Sequence, residues 1–95
     1  MCEKPKRTDF VEVIYKNSLI DGKPVLSAGE SGHPARVRVE QLITGLSLAL
    51  QMMLPGSKLK LVLPPELAYG DNGLPPLIPG GSYLISEVEL VRKVE

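Results

Sequence analysis

Only one stretch of this chain has apolar residues at helical spacing, and that restricts the fold more than any other feature. Leu46, Ala49, Leu50 and Met53 follow the i, i+3, i+4, i+7 pattern behind Thr44, a residue suited to an N-cap, and Pro55-Gly56 stops the run. The spacing predicts a helix spanning Gly45 to Met53. A single helix that short covers one face of something larger, so most of the core has to come from strands.

The remaining apolar residues alternate. Val11, Val13 and Tyr15 alternate with Phe10, Glu12 and Ile14, a β-branched run that reads as a central strand. Asp21-Gly22, between Leu19-Ile20 and Lys23-Pro24-Val25-Leu26, suits the positive backbone angles of a tight hairpin turn. A polar, glycine-containing loop over Ser27 to Gly32 precedes a second alternation, Ala35, Val37 and Val39 against Arg36, Arg38 and Glu40. Leu59, Leu61 and Leu63 share one face of a strand opposite Lys58 and Lys60, which Pro64-Pro65 ends. Leu84, Ser86, Val88 and Leu90 form the inward face of a long last strand. The expectation is an α+β domain, a meander of antiparallel strands wrapped around one short helix.

Between the last two strands, Gly70 to Gly81 holds three prolines and four glycines. No regular element tolerates that density, and loops of this length in compact domains usually carry function.

Ninety-five residues suffice for one core, read here as a single domain over residues 1–95. Acidic and basic residues cancel at net charge zero, which argues against nucleic acid or an anionic membrane as partner. No apolar stretch approaches the roughly 20 residues of a membrane span. Cys2 is the one cysteine, leaving no internal disulfide and no thiol-based metal site. It reads as a terminal thiol, with a lipid-modified cysteine as the alternative. His33, between Gly32 and Pro34 and the one histidine of the chain, reads as a solvated loop residue. No metal and no cofactor is expected. Nor does any nucleophile–base signature, acid/base carboxylate pair or phosphate-binding glycine turn occur.

Three stretches together carry a resemblance. KPKRTDFVEVIYKNSLIDGKPV at 4–25 contains a strand and an LxDG hairpin. QLITGLSLALQMMLPGSKLKLVLPPELAYG at 41–70 is similar to a "VIxGWxxALxxMxxGxKxxLxIPxxLAYG" block, and GLPPLIPGGSYLISEVELVRK at 73–93 to "GxPxxIPPxxxLxFxVELLxV". In register and over nearly the whole chain, these resemble FKBP-type peptidyl-prolyl cis/trans isomerases, most of all the bacterial envelope members. The resemblance implies that fold, proline-containing polypeptides as partners, macrolide inhibitors as ligands, a folding-helper role, and a periplasmic or cell-envelope setting. It also implies a further strand before Lys4, so the chain reads as a domain lacking the family's first strand. The sheet edge that this would uncover leaves a monomer open to edge pairing or strand exchange.

The family's reaction needs no nucleophile. Resonance opposes amide rotation by about 18–20 kcal/mol, and an apolar pocket weakens it by desolvating the prolyl carbonyl and holding the twisted amide. By resemblance, the catalytic positions are Tyr69, whose hydroxyl meets the substrate, Ile43, whose backbone N–H receives a carbonyl, and Leu46, the pocket floor. Tyr15, Val25, Leu26, Ala35, Val37, Leu42, Leu74, Ile78 and Ser86 line the pocket in the same reading. Read from the pattern alone, Tyr15, Leu42, Ile43 and Leu46 are equally core residues, and Tyr69 equally a loop anchor.

The lining departs from the family where Leu46 replaces tryptophan, Val25-Leu26 a phenylalanine-aspartate pair, and Ala35 and Ser86 further phenylalanines. Large aromatics bury about 150–250 Å² each, so a wider pocket with weakened catalysis is expected. The alternative is a non-catalytic module that binds a protein partner through the same cleft or a sheet edge.

Overall fold

A computed structural model describes residues 4–30 and 32–94. Cys2, and Ser31 in the loop at 27–32, fall outside the described residues. The chain forms β1 (Phe10–Leu19), β2 (Pro24–Ala28), β3 (Ala35–Arg38), helix α1 (Thr44–Met52), β4 (Lys58–Leu63) and β5 (Leu84–Val94), with short 3-10 turns at Val39–Gln41 and Pro65–Leu67.

All pairings are antiparallel, and β1 is the central strand. The order is β2-β1-β5-β4, with β3 paired to β1 beside the segment that β2 leaves free. This is not a meander. β1 pairs along its whole length with β5, the last strand, because those two bring together the longest alternating apolar faces of the chain. The hairpin turn forms as predicted, over residues 20–23: Leu19 N–H donates to the Lys23 carbonyl at 2.8 Å and the Lys23 N–H to Asp21 Oδ1 at 2.9 Å. Gly22 takes φ +93° there, the left-handed region that favours glycine.

The inward face follows the alternation. Val11, Val13, Leu84, Val88 and Leu90 are buried against Leu46 and Leu50 of α1. On β4 the burial fades toward the start of the strand, from Leu63 at 4% exposed to Leu59 at 37%, since β4 ends the sheet and runs beyond the helix's cover. Val39 is fully buried as expected but belongs to the 3-10 turn after β3. On the outward face Arg92 clamps Glu12, Nε to Oε1 at 2.8 Å and Nη2 to Oε2 at 3.3 Å, and this holds the Glu12 carboxyl below its ordinary value.

Helix α1 begins one residue earlier than the pattern indicates. The Ile43 carbonyl accepts the first helical bond, from Ser47 N–H at 3.0 Å, so Ile43 is the N-cap and Thr44 lies inside the helix without capping it. At the other end Met53 N–H donates to the Leu50 carbonyl, and Gly56 N–H anchors the following turn to Leu90 at 2.7 Å.

Gly45 lets α1 approach β4. A Cβ at Gly45 would stand 2.5 Å from Leu63 Cδ2 and 3.0 Å from the Leu67 carbonyl oxygen. Alanine is favoured over glycine in helices by about 1 kcal/mol, but overpacking a filled core costs about 1–3 kcal/mol. With Leu63 in the core and Leu67 contributing backbone, the steric cost dominates. Gly45→Ala is expected to lower the midpoint of urea unfolding; an unchanged or raised midpoint would show that Leu63 gives way freely.

Candidate functional site

The inner face of the sheet is ordered in cross-strand rows. Ala28, Tyr15, Val88 and Leu59 form one row, and Leu26, Asn17, Ser86 and Leu61 the next. Ala35 and Val37 pair with Val13 and Val11 and so face the same side. Tyr15, Val25, Leu26, Val37, Leu42, Ile43 and Tyr69 are half-buried and pack against one apolar cluster that contains Leu46 and Ile78.

These candidate residues share one cluster, which Ala35, Leu74 and Ser86 do not join, and they differ in how open they are. Leu46, the expected floor, is 1% exposed and belongs to the core. Ile78 is equally covered, whereas Leu74 is 41% exposed. These two face each other through a pair of backbone hydrogen bonds, each amide donating to the other's carbonyl at 2.8 Å. The proline-rich loop is therefore built on itself: Gly81 N–H donates to the Gly70 carbonyl at 2.9 Å, and Gly73 N–H to that of Tyr69 at 3.1 Å. Gly73, at φ +64°, has no room for a Cβ against the Ile78 carbonyl. Tyr69 is tied in this way to the base of the loop.

Burial pushes the Tyr69 phenol above its ordinary value, and the Tyr15 phenol, near enough to oppose a second negative charge, adds to the effect. Tyr69 therefore stays a hydrogen-bond donor well into the alkaline range, next to Tyr15. Ile43 provides another donor, for among the described residues its amide N–H has no backbone acceptor.

Ser86 is completely buried, and its hydroxyl donates to Asn17 Oδ1 at 2.7 Å. Asn17, 1% exposed, escaped the sequence reading. Its signal was available: it continues the inward parity of Val11, Val13 and Tyr15 as a polar residue at a core position.

Two surface depressions lie elsewhere. One of about 520 Å³ involves Lys16, Lys58, Lys60, Glu87 and Glu89, which occupy outward register positions, and of the candidate residues only Tyr15 borders it. The other, of about 320 Å³, lies between the β1–β2 turn and residues 81–83. Among the described residues no cluster of three or more His, Cys, Asp or Glu could hold a metal, and no helix is long and apolar enough to cross a membrane.

Residues 2–91 match the family described as FKBP-type peptidyl-prolyl cis-trans isomerase. The chain belongs to this family. It is 45% identical over 89 residues to the isomerase FkpA of Escherichia coli K12, a match covering 94% of this chain and 33% of that protein. A 22 kDa FKBP-type isomerase of the same organism is 46% identical over 93% of this chain and 43% of its own length. The chain thus spans less than half the length of either relative. The crystal structure of a Pseudomonas syringae peptidyl-prolyl cis-trans isomerase superposes with a TM-score of 0.89 at 35% identity, covering all of this chain and 69% of that one. The crystal structure of E. coli FkpA gives 0.85 at 44% identity, over 96% of this chain and 42% of that one. The antiparallel sheet with its single helix is the FKBP fold.

The raised Tyr69 phenol has a definite sign in stability. Its folded-state value lies above that of the unfolded chain, about 10, so its contribution is complete below that pH and is lost as pH rises through the folded value. The stability of the wild-type domain relative to Tyr69→Phe is expected to be constant near neutrality and to fall above about pH 10. Denaturant melts of both proteins across that range check it; parallel curves would contradict the burial of the hydroxyl.

Proposed function

We propose that this domain is a peptidyl-prolyl cis/trans isomerase acting on exposed X-Pro segments of polypeptides, with weakened catalysis. The observation that carries the reading is the convergence of Tyr69, Tyr15 and Ile43, half-open on one apolar cluster at the base of the proline-rich loop, in a chain of this family. The prolyl ring rests on apolar side chains, the Tyr69 hydroxyl and the Ile43 N–H are available as donors to flanking carbonyls, and water is excluded. That environment favours the twisted amide, whose charge separation is smaller than that of the planar form. No group needs to gain or lose a proton. Macrolide inhibitors would compete for the same cleft. The setting we propose is the bacterial periplasm or cell envelope, which the likeness to bacterial relatives supports.

Leu46 and Leu26 favour a second reading, a non-catalytic module that binds a protein partner. Leu46 is drawn into the core, and Leu26 offers no carboxylate on the cleft wall.

A proline isomerisation assay on short peptides, with and without a macrolide, separates the two. Acceleration that the macrolide abolishes is expected. A rate equal to the uncatalysed one at high protein concentration would leave only the binding module. The double variant Leu46→Trp with Leu26→Asp is expected to raise both isomerase activity and macrolide affinity, compared at equal folded fraction by thermal melting. Tryptophan supplies contact area beneath the ring and aspartate a polar partner on the wall. Overpacking at Leu46 costs about 1–3 kcal/mol, so melting has to accompany the assay. A folded double variant with unchanged activity would mean that neither substitution limits the site.

A further inference from the structure

Strand β3 is a border of the sheet with an arginine at every second position. It pairs with β1 along one edge, and among the described residues no strand meets its other edge. In an antiparallel pair each residue turns its amide and carbonyl to the same side, and successive residues alternate. Val39 N–H donates toward β1, to the Asp9 carbonyl at 3.0 Å, whereas Arg38 N–H turns away and takes the Gln41 side chain as acceptor at 3.1 Å. By the same alternation Arg36 presents its backbone groups to the open edge.

The side chains of this border are short of carboxylates. Arg92, Glu12 and Arg36 form one cross-strand row on the outward face, and Val94, Phe10 and Arg38 the next. Glu12 is taken by Arg92, and Arg36 reaches it only at 3.8 Å, with its side chain 59% exposed. Arg38 lies over the Phe10 ring at 4.7 Å, and no carboxylate among the described residues pairs with it. Its Nε is buried without a hydrogen-bond acceptor. A covered donor in that state is costly until an acceptor arrives.

The opposite border shows how this sheet matches such a pattern. Lys58 and Lys60 of β4 stand opposite Glu89 and Glu87 of β5, and Lys58 Nζ reaches Glu89 Oε1 at 4.0 Å. Basic residues at alternate positions are thus met by a strand with acidic residues at alternate positions. Arg36-Val37-Arg38 repeats the spacing at a border where that strand is missing. A second copy of β3 does not fit, because it would set arginine against arginine, and like charges directly opposite destabilise a strand pair.

We infer that the open edge of β3 takes up, by strand addition, an acidic segment of a partner polypeptide with carboxylates at alternate positions. Same-face side chains of a strand recur about every 6.5–7 Å, so two carboxylates two residues apart meet Arg36 and Arg38 together. One extends the row of Arg92, Glu12 and Arg36 with a further negative charge, and the other supplies the partner that Arg38 lacks. The segment's backbone pairs with Arg36 and displaces Gln41 from Arg38. Ala35 and Val37 face the other side of the sheet, so the inference does not rest on the isomerase reading.

The test is a fluorescence-anisotropy titration with a labelled proline-free peptide, STVEVEVTS. Wild type is expected to bind it, less tightly as salt rises. The shuffled peptide STVEEVVTS projects its glutamates to opposite faces and should bind about tenfold more weakly. Arg36→Ala, at an exposed side chain, should weaken binding of STVEVEVTS about tenfold with an unchanged melting temperature. The double variant Arg36→Glu with Arg38→Glu should lose that peptide and gain STVKVKVTS, which wild type rejects; the gain also shows that the variant is folded. STVEVEVTS methylated at the amides that face β3 keeps its charges but not its strand bonds, and should not bind. Equal binding of the shuffled peptide, of the methylated peptide or of a polyphosphate of the same charge would reduce the border to a general attraction for anions and overturn the inference. Unchanged affinity in Arg36→Ala, or a wild type that does not bind STVEVEVTS, would overturn it as well.

Discussion

The long antiparallel pairing of β1 with β5 is the contact on which the rest of the domain depends. It joins residues 10–19 to residues 84–94, so nearly the whole chain must be threaded before it closes. Every other strand hangs on one of these two: β2 and β3 share the remaining edge of β1, and β4 occupies that of β5. The helix packs where their inward faces meet. Non-local pairing of this kind is costly in loop entropy and is compensated only when the apolar faces are long and continuous. Here four of the inward positions of β5 are covered almost completely.

The same pairing brings the candidate residues together. Tyr15 comes from β1, Leu26 from β2, Leu46 from the start of α1, and Tyr69 from the segment after β4, so the candidate residues meet only once the sheet has assembled. Leu46 is closed over in the core, whereas Tyr15, Leu26 and Tyr69 stay half-buried. The proline-rich loop holds its own shape through the bonds between Gly70 and Gly81 and between Leu74 and Ile78, without support from a regular element.

How much of this could be read in advance depended on how local the determinant was. The helix was legible because Leu46, Leu50 and Met53 repeat at its period, and the one-residue error at its start arose because the cap is made by the Ile43 carbonyl, which side-chain type does not reveal. The Asp21-Gly22 turn was legible from its dihedral demands. Strand order was not. Alternation identifies a face but not a neighbour, so β3 returning to β1 and β1 choosing β5 lay beyond it, and a meander was the simplest arrangement of the same strands. The extension of β1 to Leu19 was hidden by Asn17 and Ser18, polar residues that propensity assigns to a turn. Most candidate site residues came from the family resemblance, as pattern alone could not separate Tyr15 or Ile43 from core.

Asn17 shows why polar residues at inward parity carry information that apolar ones do not. An apolar residue on that face needs no explanation, since burial alone favours it. A carboxamide there loses its hydration and is tolerated only when another group replaces the lost hydrogen bonds. Ser86 is that group, its hydroxyl donating to Asn17 Oδ1. Leu46 and Leu26 act in the opposite sense, being apolar residues where the family resemblance calls for an aromatic ring and a carboxylate. Asn17 and Ser86, by satisfying each other across β1 and β5, leave the apolar packing around them intact.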